Sequence, residues 1–267
     1  MDNEAGQSPA SANFSLERDR RKAILTFTRE DRLNALDAQT FRDLLVALDG
    51  IEADPEIGVL ILTGRGRAFI AGADITGYVD RTVLEYVEFQ RLGRLVYDRL
   101  ERLRQPVIAA VNGYALGGGF ELVLVADLVV AGENATFGLP EAKLGLLPGG
   151  GGTQRLPRLV GRSKAKELLM TADFLTAAEA RDLGIVNRVV PAAELMTATH
   201  ALADRILHRA PLAVAMAKQL VNDGLDASLP TAITQEMGMT ATLYATADAR
   251  EGIAAFIKKR PPLFTGH

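Results

Sequence analysis

The chain has 267 residues, 48% of them hydrophobic and 24% charged, with a formal net charge of −3. That is enough apolar material for one large α/β domain or a main domain with a small appendage, since single cores stop growing at roughly 250–300 residues. Absent cysteine excludes disulfides, thiolate metal sites and a cysteine nucleophile, and balanced charge without a basic cluster argues against nucleic acid as the main ligand.

The opening run Met1–Asn13 is rich in Ser, Ala, Asn and acids, lacks a basic segment before an apolar core, and reads as a disordered tail (residues 1–13). From Phe14 the pattern alternates. Ala23–Thr28 is strand-like, and Phe41, Leu44, Leu45, Leu48 and Ile51 fall at helical spacing. Ile57–Thr63 reads as a buried strand, Gly64–Ala73 as a glycine-rich loop, Thr82–Leu103 as a long amphipathic helix, and Pro106–Asn112 and Asp127–Ala131 as short apolar strands. After Gly161 the pattern turns almost wholly helical, through Lys164–Thr171, Ala177–Leu183, Glu194–Arg209, Leu212–Asp223 and, with breaks, Ala232–Lys259.

An α/β core over residues 14–200 followed by a helical C-terminal region over 201–267 is therefore expected. The apolar faces of those last helices, with Leu202, Ile206, Val214 and Leu220, need a partner surface from the core or from another subunit. No stretch reaches the roughly 18 apolar residues that would span a bilayer, so a cytoplasmic protein with no membrane segment is expected. Of His200, His208 and His267, the first two lie in an apparently helical stretch and read as structural, and no metal site is expected.

Three glycine-rich segments remain: Ala68-Phe-Ile-Ala-Gly-Ala-Asp-Ile75, Asn112-Gly-Tyr-Ala-Leu-Gly-Gly-Gly-Phe-Glu121 and Pro148-Gly-Gly-Gly-Gly-Thr-Gln-Arg155. None matches G-x-x-x-x-G-K-[ST], and Gly64-Arg65-Gly66 continues with Phe69 where a dinucleotide loop needs a third glycine. Gly64, Gly66 and Gly113 read as turns and caps. Gly117–Gly119 do not, because three glycines opening a helix carry an entropic cost that packing alone seldom explains. They follow a strand and precede an apolar run, which brings main-chain N–H groups at a helix N-terminus within reach of developing negative charge.

These segments resemble the signatures of the enoyl-CoA hydratase/isomerase (crotonase) family. So do Pro106-Val-Ile-Ala-Ala-Val-Asn-Gly113, Phe137-Gly-Leu-Pro-Glu141 and Glu251-Gly-Ile-Ala-Ala-Phe256, and the resemblance runs from Phe14 to Phe264. It implies a crotonase (ClpP-like) fold: a spiral of ββα units around two roughly perpendicular sheet faces, with a helical C-terminal trimerisation region. It also implies a homotrimer or a homohexamer built as a dimer of trimers. The implied reaction is hydration of a trans-2-enoyl-CoA to a 3-hydroxyacyl-CoA, as in fatty-acid β-oxidation. The acyl-CoA thioester is then the substrate, and coenzyme A arrives as part of it, so no separate cofactor is implied.

The resemblance places an oxyanion hole at the backbone N–H groups of Ala73 and Gly118. The physical need is general, because conjugate addition charges the thioester oxygen and preorganised donors stabilise that charge. It makes Glu121 and Glu141 the catalytic pair, Glu121 orienting and deprotonating water and Glu141 protonating C2. Taken without it, Glu121 reads as an acid favoured by a helix dipole and Glu141 as a solvated loop residue. Substrate contacts are implied at Arg32, Leu33, Ala35, Ala71, Gly72, Asp74 and Ile75 for the adenine and pantetheine portions, with Arg32 toward phosphate. Phe256 and Lys259 are implied at the acyl pocket and coenzyme phosphates, often from a neighbouring subunit. Asp74 is expected to tie the oxyanion loop by hydrogen bonds. For Arg32, Lys259 and Arg155 a solvated surface charge stays open beside a ligand contact. Leu139 stands where some hydratases carry glutamine. Two rival readings remain: an enoyl-CoA isomerase or other acyl-CoA reaction on the same fold, and a protein that keeps the fold to bind RNA or a partner.

Overall fold

The structure is a computed structural model that describes residues 11–267. Most of the expected N-terminal tail lies outside the described residues. Its last three residues are tied down: Ser11 donates to Asp43 at 2.7 Å and the Asn13 carbonyl accepts from Thr28 N–H at 2.9 Å.

In chain order the elements are β1 (Phe14–Asp19), β2 (Lys22–Phe27), α1 (Ala38–Ala53), β3 (Val59–Gly64), β4 (Ala68–Ile70), α2 (Val83–Arg102), β5 (Val107–Val111), β6 (Tyr114–Leu116), α3 (Gly118–Val125), β7 (Leu128–Gly132), β8 (Thr136–Gly138), α4 (Gly152–Val160), α5 (Arg162–Thr171), β9 (Leu175–Thr176), α6 (Ala177–Asp182), β10 (Arg188–Val190), α7 (Leu195–Leu207), α8 (Pro211–Gly224), α9 (Leu229–Tyr244) and α10 (Ala247–Ile257). Helix starts are chemically marked. Asp37 caps α1 by accepting from Thr40 N–H at 2.7 Å, and Thr82 opens α2 with Glu85 as a reciprocal capping box.

Six strands form one sheet in the order β1-β2-β3-β5-β7-β10, parallel except for the β1–β2 hairpin. Four short strands form a second sheet, β4-β6-β8-β9. The chain visits the two sheets alternately, in β3–β4–α2, β5–β6–α3 and β7–β8–α4, which is the expected spiral of ββα turns.

Alternation along β3 and β5 explains why both read as unbroken apolar runs. Leu60, Leu62, Val107, Ala109 and Val111 point into the main core under α1, α2 and α3. Val59, Ile61, Ile108 and Ala110 point the other way, against Leu195, Leu202 and Ala203 of α7. A parallel sheet covered on both faces buries every side chain of its central strands.

One expectation needs correction: the stretch Gly64–Ala73 is not all loop, since it contains β4, and two more short strands, β9 and β10, lie between the helical stretches expected after Gly161. These strands are two or three residues long, so tertiary pairing rather than local alternation makes them extended. The boundary expected at 200–201 falls inside α7, which packs on the six-stranded sheet. By contrast α8 and α9 bury no residue, and Leu229, Met237 and Tyr244 stand about 70% exposed. Among the described residues no helix is long and apolar enough to cross a membrane.

Candidate active site

The N-terminus of α3 is the point around which the site is built. Gly117 caps the helix at φ +51°, a region other residues avoid, and a Cβ there would stand 3.0 Å from Glu141 Oε1. A Cβ on Gly118 would stand 2.9 Å from the Tyr97 hydroxyl. The first two glycines of the run are therefore small because functional groups crowd them.

The second component of this arrangement is the segment Gly72–Asp74. Leu36 N–H donates to the Gly72 carbonyl at 2.9 Å and Asp74 N–H to the Leu36 carbonyl at 2.8 Å, a parallel bridge that turns the N–H of Ala73 itself the other way. Ala73 and Gly118 both line the same cavity, and among the described residues neither N–H donates to a backbone carbonyl. Asp74 is hydrogen-bonded within and beside this loop. It accepts from Thr76 Oγ1 at 2.6 Å and from Arg29 at 3.0 Å, and these contacts hold its carboxyl below the ordinary range.

Glu121 lies in the first turn of α3 and is only 4% exposed. Its Oε1 accepts two backbone hydrogen bonds, from Gly150 N–H at 2.7 Å and Gly152 N–H at 2.8 Å. Burial raises its pKa, while those two N–H groups and Arg155 oppose the rise. The four-glycine run thus has a role that sequence reasoning left unassigned: it cradles a buried carboxylate, with no room for side chains at Gly150 and Gly152, where a Cβ would stand 2.8 and 3.1 Å from the Glu121 oxygens. Arg155 braces the run, donating to the Gly150 carbonyl at 2.8 Å and gripping Glu101 through two bonds of 3.0 and 2.6 Å. Of the two readings open for Arg155, the structure supplies a third, an internal strut.

Glu141 sits in a short 3-10 turn, Pro140–Leu144, and is half-buried rather than solvated. Its Oε2 is buried without a hydrogen-bond partner among the described residues. Burial pushes its carboxyl up to about 7; its own backbone N–H pulls the other way, and the negative Glu121 nearby adds to the rise. The loop-residue alternative is thereby displaced.

Both carboxylates face a cavity of about 140 Å³. One side is Leu36 with Ala71, Gly72, Ala73 and Ile75, and the other is the α2 face Tyr86, Phe89, Gln90, Gly93 and Tyr97. The three- and four-residue spacing of those α2 positions puts them on one helical stripe. Of the residues expected at the site, Glu121, Glu141, Ala73, Gly118, Ala71, Gly72 and Ile75 come together here. Leu33 and Ala35 lie behind the wall, their carbonyls accepting from Ala71 N–H at 3.0 Å and Arg29 at 2.9 Å. Arg32 is exposed, 3.9 Å from Asp31. Phe256, 85% exposed in α10, and Lys259 do not line the cavity of their own chain. Tyr97, Gln90 and the Gly150–Gly152 donors are the residues that motif reading passed over.

A sequence profile of the enoyl-CoA hydratase/isomerase family matches residues 19–267. The crotonyl-CoA hydratase of Syntrophomonas wolfei is 43% identical over 96% of this chain and 98% of its own length. The short-chain-enoyl-CoA hydratase of Clostridium acetobutylicum is 43% identical over 93% and 95%. Among solved structures, the enoyl-CoA hydratase of Bacillus anthracis superposes with a TM-score of 0.93 at 37% identity, covering 96% of this chain and 100% of that one.

Proposed function

The chain belongs to the enoyl-CoA hydratase/isomerase family, and from that premise we propose how its own residues carry out the hydration of an enoyl-CoA thioester. The thioester oxygen accepts from Ala73 N–H and Gly118 N–H, with the positive end of α3 behind the second donor. As electron density moves onto that oxygen, C3 becomes electrophilic. Glu121, whose anion is favoured by the N–H groups of Gly150 and Gly152, removes a proton from a water whose oxygen bonds to C3. Glu141 gives its proton to C2. Water is thus divided across the double bond, and the proton gained by Glu121 replaces the one Glu141 has lost.

The observation that carries this reading is that two glutamates with unlike surroundings line one cavity together with Ala73 and Gly118, whose N–H groups donate to no backbone carbonyl among the described residues. The cavity's small volume favours a short acyl group. Arg32 and the Ala71–Ile75 loop are proposed to meet the coenzyme. Phe256 and Lys259 are proposed to reach it from a neighbouring subunit of a trimer or hexamer, an assembly that would also cover the unburied faces of α8 and α9.

The test is a comparison of kcat/KM for hydration of a 2-enoyl-CoA, followed by loss of the conjugated thioester absorbance, with isomerisation of the 3-enoyl-CoA of equal length. Hydration is expected to be the faster. The reverse ratio would make the chain an isomerase on this fold.

A further inference from the structure

We propose that Tyr97 is a positioning residue that fixes the distance between the oxyanion donor at Gly118 and the base at Glu121, an inference that rests on the site reading above.

Tyr97 lies on the cleft-facing stripe of α2, 3% exposed, one turn beyond Gly93. Its hydroxyl donates to the Gly118 carbonyl at 3.0 Å. That bond pins the orientation of the residue whose N–H is to meet the thioester oxygen. Its ring packs edge-on to Phe41, with centroids 6.2 Å apart at 75°, so the hydroxyl cannot swing away without breaking the aromatic contact. The ring also lies directly against Gly150, where a Cβ would collide with it. Gly150 N–H is one of the two donors holding Glu121. A single rigid side chain therefore touches both halves of the site: the residue whose N–H is to meet the thioester oxygen, through its carbonyl, and the residue whose N–H holds the base.

An acid–base role is ruled out by its surroundings. Burial and the nearby Glu121 and Glu141 carboxylates raise the phenol well above its ordinary value, so it stays a neutral donor across any working pH. What it supplies is geometry, and misplacement of reacting groups by fractions of an ångström weakens transition-state stabilisation more than ground-state binding.

The decisive variant is Tyr97→Phe, which keeps the ring and removes the hydroxyl. Its kcat for crotonyl-CoA is expected to fall about tenfold, with KM within about twofold of wild type. A spectroscopic readout accompanies it. Bound acetoacetyl-CoA presents an enolate to the same donors, and Tyr97→Phe should hold a smaller enolate fraction at fixed pH, shown by a weaker enolate absorbance. A residue that only filled the core would leave both the kcat-to-KM split and the enolate band unchanged. Should Tyr97→Phe melt below assay temperature, Tyr97→Met carries the same test, because methionine fills irregular apolar space and also lacks the hydroxyl. A folded variant with wild-type kcat and an undiminished enolate band overturns the proposal. Glu121→Gln, assayed alongside, separates the two levels. If it is inactive while Tyr97→Phe is unimpaired, only the role of Tyr97 fails; if Glu121→Gln itself turns over normally, the reading of the site fails and this inference with it.

Discussion

The two walls of the cavity carry the same side chain in opposite circumstances. On the α3 wall, Glu121 is almost fully buried yet receives two backbone N–H groups on one oxygen, with Arg155 behind the loop that presents them. Beside the start of α3, on the turn Pro140–Leu144, Glu141 is less buried but has an oxygen with no partner among the described residues, and Glu121 adds its negative charge. Burial penalises both carboxylates, and the difference lies in what the backbone gives back. The two donors favour the Glu121 anion, the form that takes a proton from water, against the rise that burial causes. Glu141, its rise opposed only by its own backbone N–H, is pushed up to about 7, a value suited to giving a proton away. In the proposed mechanism, acid and base are thus set by backbone geometry rather than by residue type.

Removing the carboxylates breaks the comparison most severely. Glu121→Gln and Glu141→Gln keep shape but remove a proton carrier, and each is expected to lower kcat by about 10²-fold or more with the thermal melt and acyl-CoA affinity preserved. Near-normal turnover in either variant would mean that one wall alone does the chemistry.

A smaller effect sharpens the picture of the α2 wall facing both. Gln90 packs against the Gly149 backbone and donates to the Tyr86 hydroxyl at 2.7 Å, two helical turns from Tyr97 along the cleft-facing stripe. If that pair limits the acyl group, Gln90→Ala should raise kcat/KM for an eight-carbon relative to a four-carbon enoyl-CoA by about tenfold, the scale of a few methylenes gaining room. An unchanged ratio would place the limit elsewhere in the cavity.

Much of this was legible from residue order. The run Val107–Val111 reads as strand because a doubly covered parallel strand needs apolar side chains on both faces, and Gly117–Gly119 mark the helix start because so many glycines cost entropy without a reason. Glu121 and Glu141 were assigned through the motifs around them. Other parts could not be read locally. β4, β6, β8 and β9 are two or three residues long and exist through their neighbours. Tyr97 looks like one more member of an amphipathic helix, because its partner carbonyl lies 21 residues further along the chain. The Pro148–Arg155 run is visibly unusual, but that its N–H groups point at Glu121 depends on how α4 meets α3. Phe256 and Lys259 belong to a segment that one chain leaves away from its own cavity.

The pH dependence of kcat/KM tests the division between the walls most directly, because it reports the free enzyme's acid and base. Glu141 is displaced upward to about 7, so it is protonated and competent as the acid below that value and loses its proton above it. The account predicts that hydration of crotonyl-CoA by the wild-type enzyme falls about tenfold per pH unit above roughly 7, and that this alkaline limb is missing from the residual activity of Glu141→Gln. A wild-type rate that stays level from pH 6 to about 9, or a limb that persists in Glu141→Gln, would contradict the assignment of Glu141 as the proton donor.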